Sequence, residues 1–556
     1  MQMIKLLSKI LAVIIVLMIL PLQTDANEGK IQDQIKVGIR FGESATPVVS
    51  LASPNGLALG YYEGDNFKGI MQFFEDIIVR KDDYFINVNG SFITYDFDSQ
   101  SGSGNKNIEG PVHIQIGNEF SNQQEAENFL NELPNMMEHP YLAYENGWHV
   151  WVGCYTSVSE AEETSKNIKL LIQNADLRII TKDDKRVQVL NKYGKVSFMY
   201  NTDDVVYAFK AIPQESSNGI IQLDGKSFRG SIIIHRYIGS DLTVINRLDI
   251  EEYLYGVVPR EMSGDWPIEA QKAQAVAARS YAVVNLNRHE NYGFDVCASS
   301  HCQVYGGYNS EKSRSTMAVD ETRGALLTYD GKVVTAFYHS NSGGHTEDSE
   351  NVWSNPVGYL RGVDDPYSIG APNDTWVKVY TKQEIEGVLA SNGLSVGTLQ
   401  NIVVEERSKN SRVLKLAFYG TSGSEILEKG KIRSMFGNNS IKSTWFDMGT
   451  NGERNANIMV LYDLNQPAEA IDMNSKYILT AQGLKEFEVA NKYVSNGKEY
   501  KLIASNANAN VDQYTFTGKG WGHGLGMSQW GAKKMAEDGF NYEQILTHYY
   551  TGTNIK

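Results

Sequence analysis

Two stretches of this chain are written to one plan, and that repeat restricts the fold more than any other feature. VHIQIGNEFSNQQEAENFL begins at Val112 and WHVWVGCYTSVSEAEETSKNI at Trp148. Each runs through alternating apolar residues, a glycine, an aromatic and a serine, and then opens near Glu-Ala-Glu. Gly117 answers to Gly153, Phe120 to Tyr155, and Glu125-Ala126-Glu127 to Glu160-Ala161-Glu162. A period-two segment that changes to a helical period is a strand feeding a helix. Short apolar stretches, YLAY and LRII, follow the two units. The order is therefore βαββαβ, which places one four-stranded antiparallel sheet against two helices. Strand-like segments lie before it (IKVGIRF, VVSLAS, LALGYY, DYFINVNGSFITYDF) and after it (VQVLNKYG, VSFMYN, VVYAFKAI). At 556 residues the chain exceeds one core. The expected class is α+β and multidomain: a β-rich region and linker over 27–110, the repeat over 111–182, and a mixed α/β domain over 186–556.

The repeat resembles a SPOR domain over residues 111–182, which implies binding to peptidoglycan glycan strands stripped of their peptides. The same topology also serves RNA-binding modules. With 51 basic against 66 acidic residues and a net charge of −15, the chain gains nothing from counterion release, which argues against nucleic acid as a partner. An anionic substrate would need a local basic groove. Taken singly, Phe120, Trp151 and Tyr155 read as core or sheet aromatics.

Lys5 and Lys9 lead into an apolar run from Ile10 to Leu22, followed by Thr24 and Ala26 at signal-peptidase spacing. This predicts an export signal over 1–26, cleaved after Ala26, with an uncleaved anchor as the alternative. The run is short for a span of about 20 apolar residues. The protein is expected to be secreted, at the wall or the outer membrane face. Residues 99–107 read as a flexible linker. Three cysteines rule out a disulfide framework.

The chemistry gathers further on. Pro259 predicts an extended Val258 and a turn carrying Arg260, Glu261 and Met262. Pro267 opens a helix, expected from Ile268 to Asn287, that is rich in alanine. Arg279 lies among those alanines and needs a carboxylate or an anionic ligand as partner. Glu261 is flanked by Tyr253, Tyr255, Met262 and Trp266, apolar surface that keeps a carboxyl group protonated longer, as a general acid requires. By itself a glutamate in a loop is usually a solvated charge.

VVPREM with WPIEAQKAQAVAARSYA, then AFYHSNSGGHTEDSENVW, then TGKGWGHGLGMSQWGA together resemble the SpoIID/LytB family, in family order over about 300 residues. The resemblance implies a lytic transglycosylase that cuts between N-acetylmuramic acid and N-acetylglucosamine and leaves 1,6-anhydro ends. Its catalytic glutamate matches Glu261 and its important arginine matches Arg279. One carboxylate suffices where the sugar's own 6-hydroxyl attacks, whereas a hydrolase pairs two. The family also contains LytB-type proteins that enhance a cell-wall amidase without catalysis, so an amidase is the alternative partner.

Gly518, Gly520, Gly522, Gly524 and Gly526 strip one face of an extended segment, which reads first as packing. Lys519, Trp521 and His523 on the other face, with Tyr253, are expected to reach substrate. Ser342-Gly343-Gly344-His345 lacks the strand–elbow–helix form of a serine hydrolase. His289, Cys297, His301 and Cys302 have the chemistry of a tetrahedral zinc site, His289 being the weakest member. A Cys297–Cys302 disulfide and free buried thiols compete with that reading. With a glutamate present for the chemistry, the zinc is expected to be structural. Cys154 reads as a small buried hydrophobe.

Overall fold

The computed structural model describes residues 33–96, 108–134, 138–450 and 511–556, less 89, 174, 204, 214–218, 238–239 and 354; between 457 and 502 it gives backbone strands alone. The expected signal over 1–26 and the linker over 99–107 lie outside the described residues. Among the described residues no helix is long and apolar enough to cross a membrane.

The repeat folds as its periodicity dictates. Strands Val112–Ile116, Pro140–Tyr144, Trp148–Tyr155 and Leu177–Ile180 alternate with helices α1 (Gln123–Glu132) and α2 (Val158–Leu171). The four strands are antiparallel neighbours. Equivalent residues perform equivalent tasks. Asn122 and Ser157 cap the two helices by accepting from the backbone N–H of Glu125 and Glu160. Gly117 and Gly153 take φ of 77° and 78°, a left-handed conformation that glycine adopts without strain. Trp151 and Tyr155 are buried, so the core reading holds for both.

The module is continuous with its neighbours. Pro140–Tyr144 pairs in parallel with Val196–Asn201, extending a ten-stranded sheet through Arg186–Asn191 and Ile77–Lys81 to Val48–Ala52. A seven-stranded sheet holds Gln34–Arg40 between Leu242–Asp249 and Val296–Cys297. Val49, Leu51, Val187 and Val189 of one sheet share a core with Ile35, Val37, Leu57 and Leu59 of the other. The boundaries placed at 110 and 186 therefore divide the chain but not the cores. Among the described residues strand 34–40 has no partner within 27–110, and its ladders are made with Leu242–Asp249 and Val296–Cys297.

Helix α3 (Ile250–Glu261) leaves the seven-stranded sheet directly, capped by Asp249. Here the expectation of an extended Val258 and a loop is corrected. The helix runs through Pro259 and ends on Glu261, because a proline so near the end deprives only one carbonyl, in the preceding turn, of its partner. Helix α4 (Ile268–Val284) follows with Pro267 at its cap. Residues from Trp376 to Phe446 and from Tyr514 to Phe516 form a separate core. Its sheet Thr375–Thr381, Gln513–Lys519, Phe446–Thr450 gives the stretch after 376, opaque in sequence, a definite α+β lobe.

Candidate active site and metal-ligand cluster

Glu261 ends α3 with its carboxylate largely out of water. Val304 N–H donates to Oε1 at 3.3 Å and Gln529 Nε2 to Oε2 at 3.2 Å. Among the described residues no lysine or arginine forms an ion pair with it. Burial raises its pKa above the ordinary carboxylate value, against the lowering pull of Val304, Gln529 and Tyr338. The groups hydrogen-bonded to it are neutral, and the charge of the adjacent Arg260 also pulls its pKa down. Gln529 also reaches Gln274 Oε1 at 3.4 Å. Gln303 donates to Tyr338 Oη at 3.0 Å and accepts from Tyr253 Oη at 3.0 Å. No second carboxylate hydrogen-bonds to these side chains among the described residues. Trp266 packs on Trp530 with ring centroids 4.6 Å apart, placing an aromatic pair beside the two segments that meet at Glu261.

Tyr253, expected at substrate, is fully buried and instead orients Gln303. Arg279 is also elsewhere. Its Nε and Nη2 donate to the two oxygens of Glu251 at 2.8 and 2.7 Å, and Nη1 to the Ala325 carbonyl at 3.0 Å. Glu251 begins α3 and Glu261 ends it, about 15 Å apart along the axis at 1.5 Å per residue. Of the two partners its alanine surroundings allowed, a carboxylate or an anionic ligand, the guanidinium has the carboxylate, that of Glu251.

The glycine comb is a packing device, although its conformation is not extended: Gly520, Gly522, Gly524 and Gly526 all take positive φ. A Cβ at Gly522 would meet His339 at 2.5 Å, and one at Gly524 the Arg412 guanidinium at 2.7 Å. His523 accepts from Leu525 N–H at Nδ1, 3.0 Å. Burial, with the charges of Arg433 and Arg412, pushes its pKa down to about 3, so the ring is neutral. Trp521 and Lys519 face outward beside Lys442 and Trp445. Ser342 is buried and bonded to Asp365 at 2.6 Å and Ser368 at 2.8 Å, with no histidine on its hydroxyl among the described residues. A serine nucleophile finds no support.

His289, Cys297, His301 and Cys302 converge, their ligand atoms all within 4.8 Å of one another. His289 Nε2 is 3.3 Å from Cys302 Sγ, and His301 Nδ1 is 3.7 and 3.6 Å from the two sulfurs. Zinc–sulfur and zinc–nitrogen bonds of about 2.3 and 2.0–2.1 Å in a tetrahedron give edges of roughly 3.3–3.8 Å, so these separations fit. Neither cysteine is disulfide-bonded in this structure. Cys154 is free and half-buried.

Gln303, Tyr338 and Gln529 were missed in sequence because they reach Glu261 or its contacts from distant parts of the chain, Gln529 from 268 positions away. Tyr338 and Gln529 did lie inside the motifs, in AFYHS and GMSQWGA.

A family model described as "Stage II sporulation protein" (SpoIID) matches residues 239–329, and one described as a domain of unknown function (DUF8618) matches 373–464. The chain is 30% identical over 358 residues to the amidase enhancer of Bacillus subtilis (strain 168), covering 61% of this chain and 45% of that protein. It is 30% identical to an uncharacterised protein of Brachyspira hyodysenteriae over 60% of this chain and 73% of the relative. Against the stage II sporulation protein D of Bacillus subtilis it is 26% identical, over 56% of this chain and 75% of the relative. The match thus spans under half of the amidase enhancer and about three quarters of the other two. The chain belongs to the SpoIID/LytB family.

Proposed function

We propose that this is an exported cell-wall protein that cleaves peptidoglycan glycan strands as a lytic transglycosylase, with Glu261 as its acid and base. The observation that carries this reading is one desolvated carboxyl group with a raised pKa, no ion-pair partner among the described residues and only neutral hydrogen-bond partners. Such a group holds its proton to higher pH than an ordinary carboxyl group and can give it to the departing glycosidic oxygen. The carboxylate that remains then takes the proton of the sugar's 6-hydroxyl as that oxygen closes on the anomeric carbon. One C–O bond breaks, one forms, and the glutamate ends protonated as it began. Intramolecular attack favours the anhydro product over water, and the absence of a second carboxylate from the network suits it.

One zinc held by Cys297, His301, Cys302 and His289 is part of the same proposal. A closed four-ligand shell gives it a structural role. It would fix the loop that continues into Gln303 and Val304, the residues bearing on Tyr253, Tyr338 and Glu261. The module over 111–182 is assigned to glycan binding by its SPOR resemblance. Since Trp151 and Tyr155 belong to its core, contact would fall to its outer surface.

Digestion of peptide-free glycan strands followed by mass spectrometry tests the reading: anhydro-muramyl ends should form and should vanish with Glu261→Gln. The relative named an amidase enhancer supplies the rival. On that reading no anhydro ends appear, and an added cell-wall amidase works faster.

A further inference from the structure

The lobe formed by residues 373–450 and 511–519 borders a surface that the acid–base chemistry does not use. Segments 442–445 and 519–522 are stapled side by side. Lys519 N–H donates to Trp445 O at 2.8 Å, Gly522 N–H to Lys442 O at 2.9 Å, and Ser443 Oγ to Lys519 O at 2.5 Å. Each segment supplies one lysine and one tryptophan, and they pair crosswise. Lys442 Nζ lies 5.0 Å from the Trp521 ring centroid and Lys519 Nζ 5.1 Å from that of Trp445. Neither lysine forms an ion pair among the described residues. The Arg412 guanidinium also lies against Trp445, at 5.6 Å. Arg412 is 1% exposed; its Nη2 donates to the Ser342 and His345 carbonyls and its Nε lies 4.0 Å from Glu347, while Nε and Nη1 have no hydrogen-bond partner among the described residues.

The platform is tied to the acid. Trp521 pairs with Asn341, Ser342 N–H donates to Ser528 Oγ at 3.3 Å, and Gln529 holds Glu261. From Tyr338, a neighbour of Glu261, to Asn341 is at most about 10 Å along the chain, which a short oligosaccharide spans.

We propose that Lys442, Lys519, Trp445 and Trp521 form a subsite for a sugar bearing a free carboxylate, the group that muramic acid exposes once its peptide is removed. Indole faces accept the apolar face of a sugar ring, and unpaired ammonium groups beside them accept the carboxylate. An amide-linked peptide at the same position would cancel the charge. In a protein of net charge −15 this is the local basic feature that an anionic strand needs. The inference rests on the glycan-cleaving reading and adds the basis on which strands are chosen.

The full chain carrying Glu261→Gln binds strands without cutting them, so affinity can be read alone. The probes are peptide-free glycan strands and the same strands with their carboxylates converted to methyl amides. Amidation should weaken binding about five- to tenfold at low salt, the size expected for two half-exposed ion pairs. Added salt should narrow that ratio. With Lys442→Gln and Lys519→Gln together, both strands should bind at the weaker level. Equal binding of the two strands by the lysine-intact chain would overturn the subsite and leave glycan cleavage standing. Failure to bind either strand would overturn both. Lys442 also donates to Asn373 at 2.6 Å, so Lys519→Gln is measured alone as well, and an unchanged ratio there would count against the proposal.

Discussion

Helix α3 carries a carboxylate at either end in opposite circumstances. At its first turn Glu251 accepts two hydrogen bonds from Arg279, at 2.8 and 2.7 Å, and a third from Gly324 N–H at 3.1 Å. At its last residue Glu261 meets a backbone N–H and a neutral amide. Full pairing fixes a charge and makes it part of the framework. Withholding a cation while excluding water leaves a proton that can move. The same helix is thus an anchor at one end and a candidate acid at the other.

The comparison breaks most readily at Glu261. Glu261→Gln should lower anhydro-sugar formation by about 10²–10⁴-fold, the usual share of acid–base catalysis. Stability should move the other way. A raised carboxyl pKa means that the folded state binds the proton more tightly than the unfolded one. Wild-type stability therefore falls as pH rises from the ordinary carboxylate range through the raised value. The glutamine variant escapes that loss, so urea melts across this window should show a growing advantage for it. Turnover close to wild type would take Glu261 out of the acid role.

At the other end, Arg279→Ala leaves Glu251 buried and uncompensated, a loss of about 3–5 kcal/mol by denaturant melts. Replacing both partners together, as Arg279→Met with Glu251→Leu, should recover most of it. An Arg279→Ala chain that folds as well as wild type yet makes no product would place the arginine at substrate, against the geometry.

Metal removal sharpens the contrast, because only the Glu261 end depends on the loop after Cys302. Cys302→Ser, or chelation, should abolish one equivalent of bound zinc. By freeing Val304 it should remove a hydrogen bond to the Glu261 carboxyl group, about 0.5–1.5 kcal/mol, together with the other contacts of that loop. Elemental analysis and activity at a temperature where the fold persists check this. A protein purified without zinc and fully active would dismiss the ion. The smallest effect belongs to Gln529→Ala, about 0.5–1.5 kcal/mol in transition-state stabilisation. Gln529 holds the carboxyl pKa down, so the alkaline limb of the pH–rate profile should move upward; a limb that stays in place would mean the amide does not bear on Glu261.

The two ends also differ in how far sequence exposes them. Arg279 among alanines demanded a carboxylate or an anionic ligand, and burial energetics called for a negative partner without saying which of the two or which residue. Glu261 was singled out by motif, while its local setting pointed to a loop because the restriction before proline outweighed the helical pattern. The βαββαβ repeat, its caps and its glycines were legible because strand, cap and helix signals are local. Gln303, Tyr338 and Gln529 were not, since polar groups that meet only through tertiary packing leave no periodicity. The joining of residues 34–40 with 242–249 was hidden for the same reason.

That joining governs the order in which the molecule can assemble. A polypeptide appearing from its amino end presents Ile35 and Val37, both wholly buried in the finished protein, long before Leu242–Asp249 or Val296–Cys297 exists to flank them. Pairings of such sequence separation are slow to close, and an unpaired apolar strand invites aggregation in the meantime. Strand 34–40 therefore waits for its partners while the ten-stranded sheet, whose strands all lie between Val48 and Phe228, can close without them. The seven-stranded sheet is the one that must close late, after Leu242–Asp249 and Val296–Cys297 have followed.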